Sequence, residues 1–237
     1  MLDDLKQRVC DANKRLVDEG LVMMTFGNVS GIDRDGGHVV IKPSGVAYDD
    51  LRPETMVVVS VADGETVEGD ARPSSDTPTH LELYRAFDAI GGVVHTHSVH
   101  ATAWAQARRP IPRLGTTHAD HFSGPVPCTR PLTPQEIEAD YEANTGKVLV
   151  EALGETDPLA SPAALVVSHG PFAWGRDPNE AVTHAAILEY VARLATETVR
   201  IEPYPRPAAD ELMDKHFNRK HGPNAYYGQA DEGETNR

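Results

Sequence analysis

Apolar residues at steps of three and four, Leu2, Leu5, Val9, Ala12 and Leu16, predict an amphipathic helix over residues 2–19, and Gly20 stands where such a helix stops. Beyond it the pattern changes to short β-branched runs over 27–30, 39–45 and 56–61. Asp35-Gly36 and Asp63-Gly64 separate these runs, which predicts an antiparallel meander rather than strands alternating with helices. Thr77-Pro78 reads as an N-cap followed by proline at the first helical position, so 78–88 is predicted helical, with Leu81, Leu83, Tyr84 and Phe87 on its apolar side. A strand over 91–98 follows, then a helix over 98–107 that Pro110 and Pro112 stop. Thr133-Pro134-Gln135-Glu136 is a capping box that opens a helix running to about residue 152. A second apolar run, 164–169, ends at His169 before a predicted Gly170-Pro171 turn. Asp177-Pro178-Asn179-Glu180 opens a long helix whose core face is Val182, Ala186, Leu188, Val191 and Leu194, and a last helix is predicted over 208–218.

The chain has 237 residues with no linker and no internal repeat, which predicts one domain over 1–229. Residues 230–237 are polar and acidic and are predicted to be a disordered tail. A net charge of −14 argues against a nucleic-acid or membrane-surface partner, while leaving room for a local anion site. No stretch reaches the roughly 18 apolar residues of a membrane span. The acidic start, Met1-Leu2-Asp3-Asp4, is not signal-like, so a cytoplasmic protein is expected. Cys10 and Cys128 lie far apart and form no metal or disulfide framework.

Within the predicted strand Gly91-Gly92-Val93-Val94-His95-Thr96-His97-Ser98, His95 and His97 stand at i and i+2 and share one face, about 7 Å apart at the backbone. Two imidazoles so placed can converge on one ion, although such a pair by itself also fits two satisfied core histidines. The second apolar run ending in His169 supplies a third nitrogen, as a catalytic zinc with an open position requires, and Asp76 is an alternative fourth ligand. Gly27-Asn28, Lys42-Pro43-Ser44-Gly45 and Ser74-Ser75 are loops of small and hydroxyl residues that let donors approach an anion closely. Ser74, Ser75 and Asp76 also precede a predicted helix N-terminus, which favours negative charge. Together the three loops read as a phosphate cradle. In the polar loop 115–121, Asp120 is the first candidate for acid/base work, and His216, Arg219 and Tyr227 cluster near the C-terminus.

The segments Gly27-Asn28-Val29-Ser30, Ile41-Lys42-Pro43-Ser44-Gly45, Ser74-Ser75-Asp76-Thr77-Pro78-Thr79-His80, His95-Thr96-His97, Gly115 to Asp120 and Ser168 to Gly175 occur in this order. Their order and content resemble the class II aldolase superfamily, and the ending from Lys215-His216 to Tyr226-Tyr227-Gly228-Gln229 resembles its sugar-phosphate epimerase branch. The resemblance spans about residues 1–229. It implies an α/β single domain with a mostly antiparallel central sheet flanked by helices, and a homotetramer with active sites between subunits. It also implies Zn2+, or another divalent metal such as Mn2+ or Co2+, on His95, His97 and His169, with Asp76 as a further ligand. A phosphorylated ketopentose would be held by Gly27, Asn28, Lys42, Ser44, Gly45, Ser74 and Ser75. Asp120 and Tyr227 would be the acid/base pair, with Tyr227, His216 and Arg219 reaching a neighbour's site. The implied reaction inverts a hydroxyl-bearing carbon by cutting and remaking the adjacent C3–C4 bond. Two alternatives share the fold: an aldolase of the L-fuculose 1-phosphate type, which carries Glu where this chain has Asp76, and a non-catalytic adducin-like module, which lacks the metal histidines.

Overall fold

The computed structural model describes residues 2–227; the predicted tail, 230–237, lies outside them. The first helix, α1 (Leu2–Asp18), buries Leu5, Val9, Ala12 and Leu16 as its spacing requires. It ends in a Schellman turn: Gly20 has φ 67°, its N–H donates to Val17 O (2.9 Å), and Leu21 N–H donates to Leu16 O (3.0 Å).

The strands β1 (Asn28–Asp33), β2 (His38–Ile41), β3 (Val57–Ser60) and β4 (Thr66–Glu68) form the predicted antiparallel meander. Past α2 (Thr77–Ala86), β5 (Gly92–His95) pairs with β1 on the meander's other side. After α3 (Val99–Gln106), α4 (Thr116–Ala119) and α5 (Pro134–Leu153), the hairpin β6 (Ala163–Val166) and β7 (Gly170–Gly175) completes the sheet. The seven strands lie in the order β4-β3-β2-β1-β5-β7-β6, and every pairing between them is antiparallel. The long helix α6 (Pro178–Ile201) and α7 (Asp210–His221) follow.

Both faces of this sheet are covered, which explains why its strands read as continuous apolar runs rather than alternating ones. Val40, Val58, Val94 and Ala173 pack toward α1, α3 and α6. Their neighbours Val39, Val57, Val93 and Trp174 pack toward α2 and α5. Gly31, Gly92 and Gly175 stand side by side across β1, β5 and β7, and α6 begins directly against them. A Cβ on Gly92 would meet Asp177 O at 2.4 Å, and one on Gly175 would meet Ala181 N at 2.7 Å, so glycine is the condition for this close approach.

Several local expectations are corrected. The strand ends at His95, so His97 is carried by the chain beyond it. Asp76, not Thr77, occupies the N-cap position of α2, and Thr77 is its first helical residue. Gly170-Pro171 opens β7 instead of turning the chain, because proline is tolerated at a strand's start. The polar loop 115–121 contains the one-turn α4. On α6, Ala181, Ala185, Ala192 and Ala195 join Val182, Leu188 and Val191 in the core, whereas Leu194 is exposed. The capping box of α5 is present, with Thr133 Oγ1 accepting from Glu136 N, but the helix breaks at Asp140 (φ −162°, ψ 87°).

Candidate functional site: three histidines, an anion pocket and a separate acidic cluster

At one end of the sheet, strand register brings Asn28 of β1, His95 of β5 and Phe172 of β7 into line on the face toward α2 and α5. His95 is buried and stacks on Phe172, with centroids 4.3 Å apart at 19°. Its Nδ1–H donates to Pro171 O (3.0 Å), which leaves Nε2 as the lone-pair nitrogen, 3.1 Å from His97 Nε2. The chain can leave the strand here because Glu189 of α6 caps α3 directly after it, accepting from His100 N and Ala101 N (both 2.9 Å). His169 arrives in the β6–β7 turn, where Ser168 adopts the left-handed region at φ 61°. The three imidazoles offer ligand atoms that all lie within 4.8 Å of one another. That donor set fits a divalent cation with an open position. Burial pushes the His95 pKa down to about 4, against the opposing pull of Asp76, so its lone pair is free at neutral pH.

Asp76 lines the same cavity but stands outside the three-nitrogen group, and its Oδ2 accepts from Asn28 Nδ2 at 2.6 Å. Burial raises its carboxyl pKa, but His95, His80 and the Asn28 amide outweigh that and hold it below the usual range. The α2 end bearing it is tied to β1 by Ser30 Oγ, which contacts both His80 Nδ1 (2.7 Å) and Tyr84 OH (2.9 Å).

The three anion loops line this cavity of about 410 Å3 together with the histidines. Two of their backbone amides are already committed: Ser44 N–H donates to Arg72 O and Ser74 N–H to Lys42 O, which pins the two loops together. The charge comes instead from Lys42, 2 % exposed, whose Nζ lies 5.1 Å from the Tyr48 ring centroid and 3.4 Å from Pro43 O. Among the described residues no carboxylate pairs with it. A buried ammonium without a counter-charge is costly, and burial lowers its pKa accordingly. An anionic group entering the cavity would supply the missing charge. Tyr48 OH fixes the opposite loop by donating to Phe26 O (2.7 Å), with Gly27 O at 3.0 Å.

Sequence reasoning missed Thr25 at the cavity's edge and, on α5, Tyr141 and Glu142. Tyr141 and Glu142 reach it because α5 breaks immediately before them. The polar and small run Asp140 to Gly146 inside an otherwise capped helix was the available signal.

Asp120, His216, Arg219 and Tyr227 do meet, but away from the histidines. Asp120 Oδ1 is 3.0 Å from His216 Nδ1, Arg219 Nη2 donates to both carboxylate oxygens at 3.1 Å, and the guanidinium lies 4.3 Å from the Tyr227 ring centroid. None of the four lines the 410 Å3 cavity of its own chain. Burial raises the Asp120 pKa, but the Arg219 and His216 hydrogen bonds outweigh it and keep the carboxylate ionised.

The neighbouring His118 is buried, and its Nε2–H donates to Gly124 O (2.8 Å). Burial chiefly, helped by Arg113, lowers its pKa from 6.5 to about 4. Between those values the unfolded chain binds a proton that the folded chain does not, so stability falls as pH falls. We predict a loss from this residue of about 1.4 kcal/mol per pH unit across that window. Urea midpoints at pH 7 and pH 5 should separate more for the wild type than for His118→Gln, and equal separations would remove His118 as the source.

The comparisons with known proteins bear on this geometry. The family model described as "Class II Aldolase and Adducin N-terminal domain" matches residues 7–196. The chain belongs to that family. As a member, it is 59% identical over 228 residues to "L-ribulose-5-phosphate 4-epimerase UlaF" of Salmonella paratyphi B, covering 96% of this chain and 100% of the relative. A relative of the same name from Salmonella typhi is equally similar. Among solved structures, an L-fuculose 1-phosphate aldolase superposes with a TM-score of 0.77 at 27% identity, covering 91% of this chain and 95% of that one. The L-fuculose-1-phosphate aldolase of Thermus thermophilus superposes with a TM-score of 0.64 at 26% identity, covering 86% of this chain and 98% of that one. The fold is therefore that of the class II aldolases. Among the described residues, no helix is long and apolar enough to cross a membrane.

Proposed function

We propose that this family member is an L-ribulose-5-phosphate 4-epimerase, interconverting L-ribulose 5-phosphate and D-xylulose 5-phosphate. The observation that carries this reading is the meeting, in one cavity, of three imidazoles suited to a divalent cation and a buried lysine that lacks a counter-charge. Identity of 59% to relatives named as that epimerase, against 27% to a solved aldolase, favours epimerisation over simple cleavage.

The inverted carbon bears a hydroxyl and no acidic hydrogen, so simple deprotonation cannot invert it, whereas cutting the adjacent C3–C4 bond and remaking it on the other face can. His95, His97 and His169 would hold the metal, Zn2+ being the best match to an all-imidazole set, with Mn2+ or Co2+ as substitutes. When bound, it supplies Lewis acidity to the oxygens that carry negative charge once that bond breaks. Lys42, Asn28, Ser44 and Ser75 grip the phosphate, so the aldehyde fragment turns without leaving and recombination stays effectively intramolecular. Asp120 and Tyr227 exchange the proton of the C4 hydroxyl oxygen from opposite faces.

The Asp120 cluster lies off its own chain's cavity, which supports a homotetramer in which one protomer's cluster completes its neighbour's site. A phosphorylated sugar is retained by membranes, so the cytoplasm is the compartment this reading calls for. The test is incubation of the metal-loaded protein with L-ribulose 5-phosphate. D-xylulose 5-phosphate should accumulate to an equilibrium mixture; no conversion, paired with release of dihydroxyacetone phosphate from L-fuculose 1-phosphate, would assign the aldolase reaction instead.

A further inference from the structure

The break in α5 is built, not incidental. Asp140 leaves helical geometry, and its Oδ1 accepts from Ala143 N (3.1 Å), capping a new helical segment. Asn144 Nδ2 donates back to Glu136 O (2.8 Å), Thr145 Oγ1 to Tyr141 O (2.8 Å), and Thr79 Oγ1 of α2 to Glu142 O (2.6 Å). Gly146 lets this segment lie close to α2, since a Cβ there would meet Glu82 Cβ at 2.5 Å. The backbone around Tyr141 is thus held from both sides of the break and from a second helix. What it delivers is the Tyr141 hydroxyl, 3.2 Å from His169 Nδ1. Tyr141 and His169 also form the partition between the 410 Å3 cavity and a second one of about 210 Å3.

We propose that Tyr141 is a positioning residue for the third metal ligand: its hydroxyl oxygen accepts the His169 Nδ1–H and so leaves Nε2 as the ring's ligating nitrogen. This rests on the reading of the three histidines as the metal site. His95 is fixed in the same way by the Pro171 carbonyl, but that acceptor belongs to the adjoining strand. His169 sits in a turn opened by a left-handed serine, and among the described residues the acceptor facing its Nδ1 is a side chain from another element. A ligating imidazole whose second nitrogen is anchored keeps one tautomer and one ring orientation, and loss of such an anchor weakens metal binding about 10- to 100-fold.

The experiment is zinc titration of the metal-free protein against a chromogenic chelator, with thermal melts of the same samples. Tyr141→Phe keeps the ring and the partition; it should melt like the wild type without metal yet bind zinc about 10- to 100-fold more weakly. Tyr141→Gln, which retains an acceptor, should recover part of that loss. Zinc affinity of Tyr141→Phe within twofold of wild type, or equal losses in Phe and Gln, would overturn the proposal. Long-range 1H–15N spectra of the zinc-loaded wild type read the tautomer without any substitution: His169 should carry its proton on Nδ1, and ligation through Nδ1 would also overturn it. A wild type that binds no zinc would instead overturn the metal-site reading on which it stands.

Discussion

His97→Asn is expected to fold, to retain no bound metal, and to lose turnover by about three orders of magnitude or more, the kinetic equivalent of the several kcal/mol that a metal's charge stabilisation provides. Among the three histidines this one gives the cleanest test. His97 is exposed and lies beyond the end of β5, so its removal takes little from the core. His95, by contrast, stacks on Phe172 and donates to the Pro171 carbonyl, so its loss would disturb the sheet end as well. With one of three nitrogens gone, the pair that remains is a weak chelate. Metal content, turnover and the thermal melt should be read on one preparation. A variant that keeps full metal and near-normal turnover would remove His97 from the ligand set.

Tyr227→Phe should do the opposite, keeping its metal while losing about 10²- to 10⁴-fold in turnover, the usual worth of a positioned proton donor or acceptor. The Phe ring retains the contact with the Arg219 guanidinium, so the Asp120 cluster should stay assembled. Because that cluster lies off its own chain's cavity, the two inactive variants should complement each other. In the proposed ring of four, mixing His97→Asn and Tyr227→Phe chains at random would leave roughly a quarter of the sites with both intact halves. Unfolding and refolding the variants together should therefore restore a comparable share of activity. No recovery, with mixed oligomers demonstrated, would place Tyr227 and the histidines in the same chain's site or outside the chemistry.

Much of this was legible before the fold. The apolar stripe of α1, the capping box at Thr133, the N-cap at Asp177, and the Asp-Gly turns of the meander are local signals, each set by residues near one another in the chain. His95 and His97 stood out because polar rings interrupt a run otherwise suited to burial, and His169 stood out for the same reason. The misses have physical causes too. Leu194 looked like core because its spacing fits the helix, but α6 buries a narrower, alanine-rich stripe against the sheet and leaves Leu194 outside it. Tyr141 and Glu142 were hidden because a good capping box announces a helix without saying where tertiary contacts interrupt it.

The sequence alone determined which chemistry was on offer: imidazoles, a lysine among small loop residues, an acid and a tyrosine, each attached to a locally specified element. Only the tertiary structure decided which of them meet. His95 and His169 are joined by the β5–β7 register and the β6–β7 turn, and Asn28 by the β1–β5 register. Such pairings are hydrogen-bond ladders between distant segments, and in a sheet buried on both faces no alternation along a strand tells which side a residue takes. The same long-range packing set Lys42 in the cavity wall without a counter-charge, and drew Asp120 to α7 rather than to the histidines.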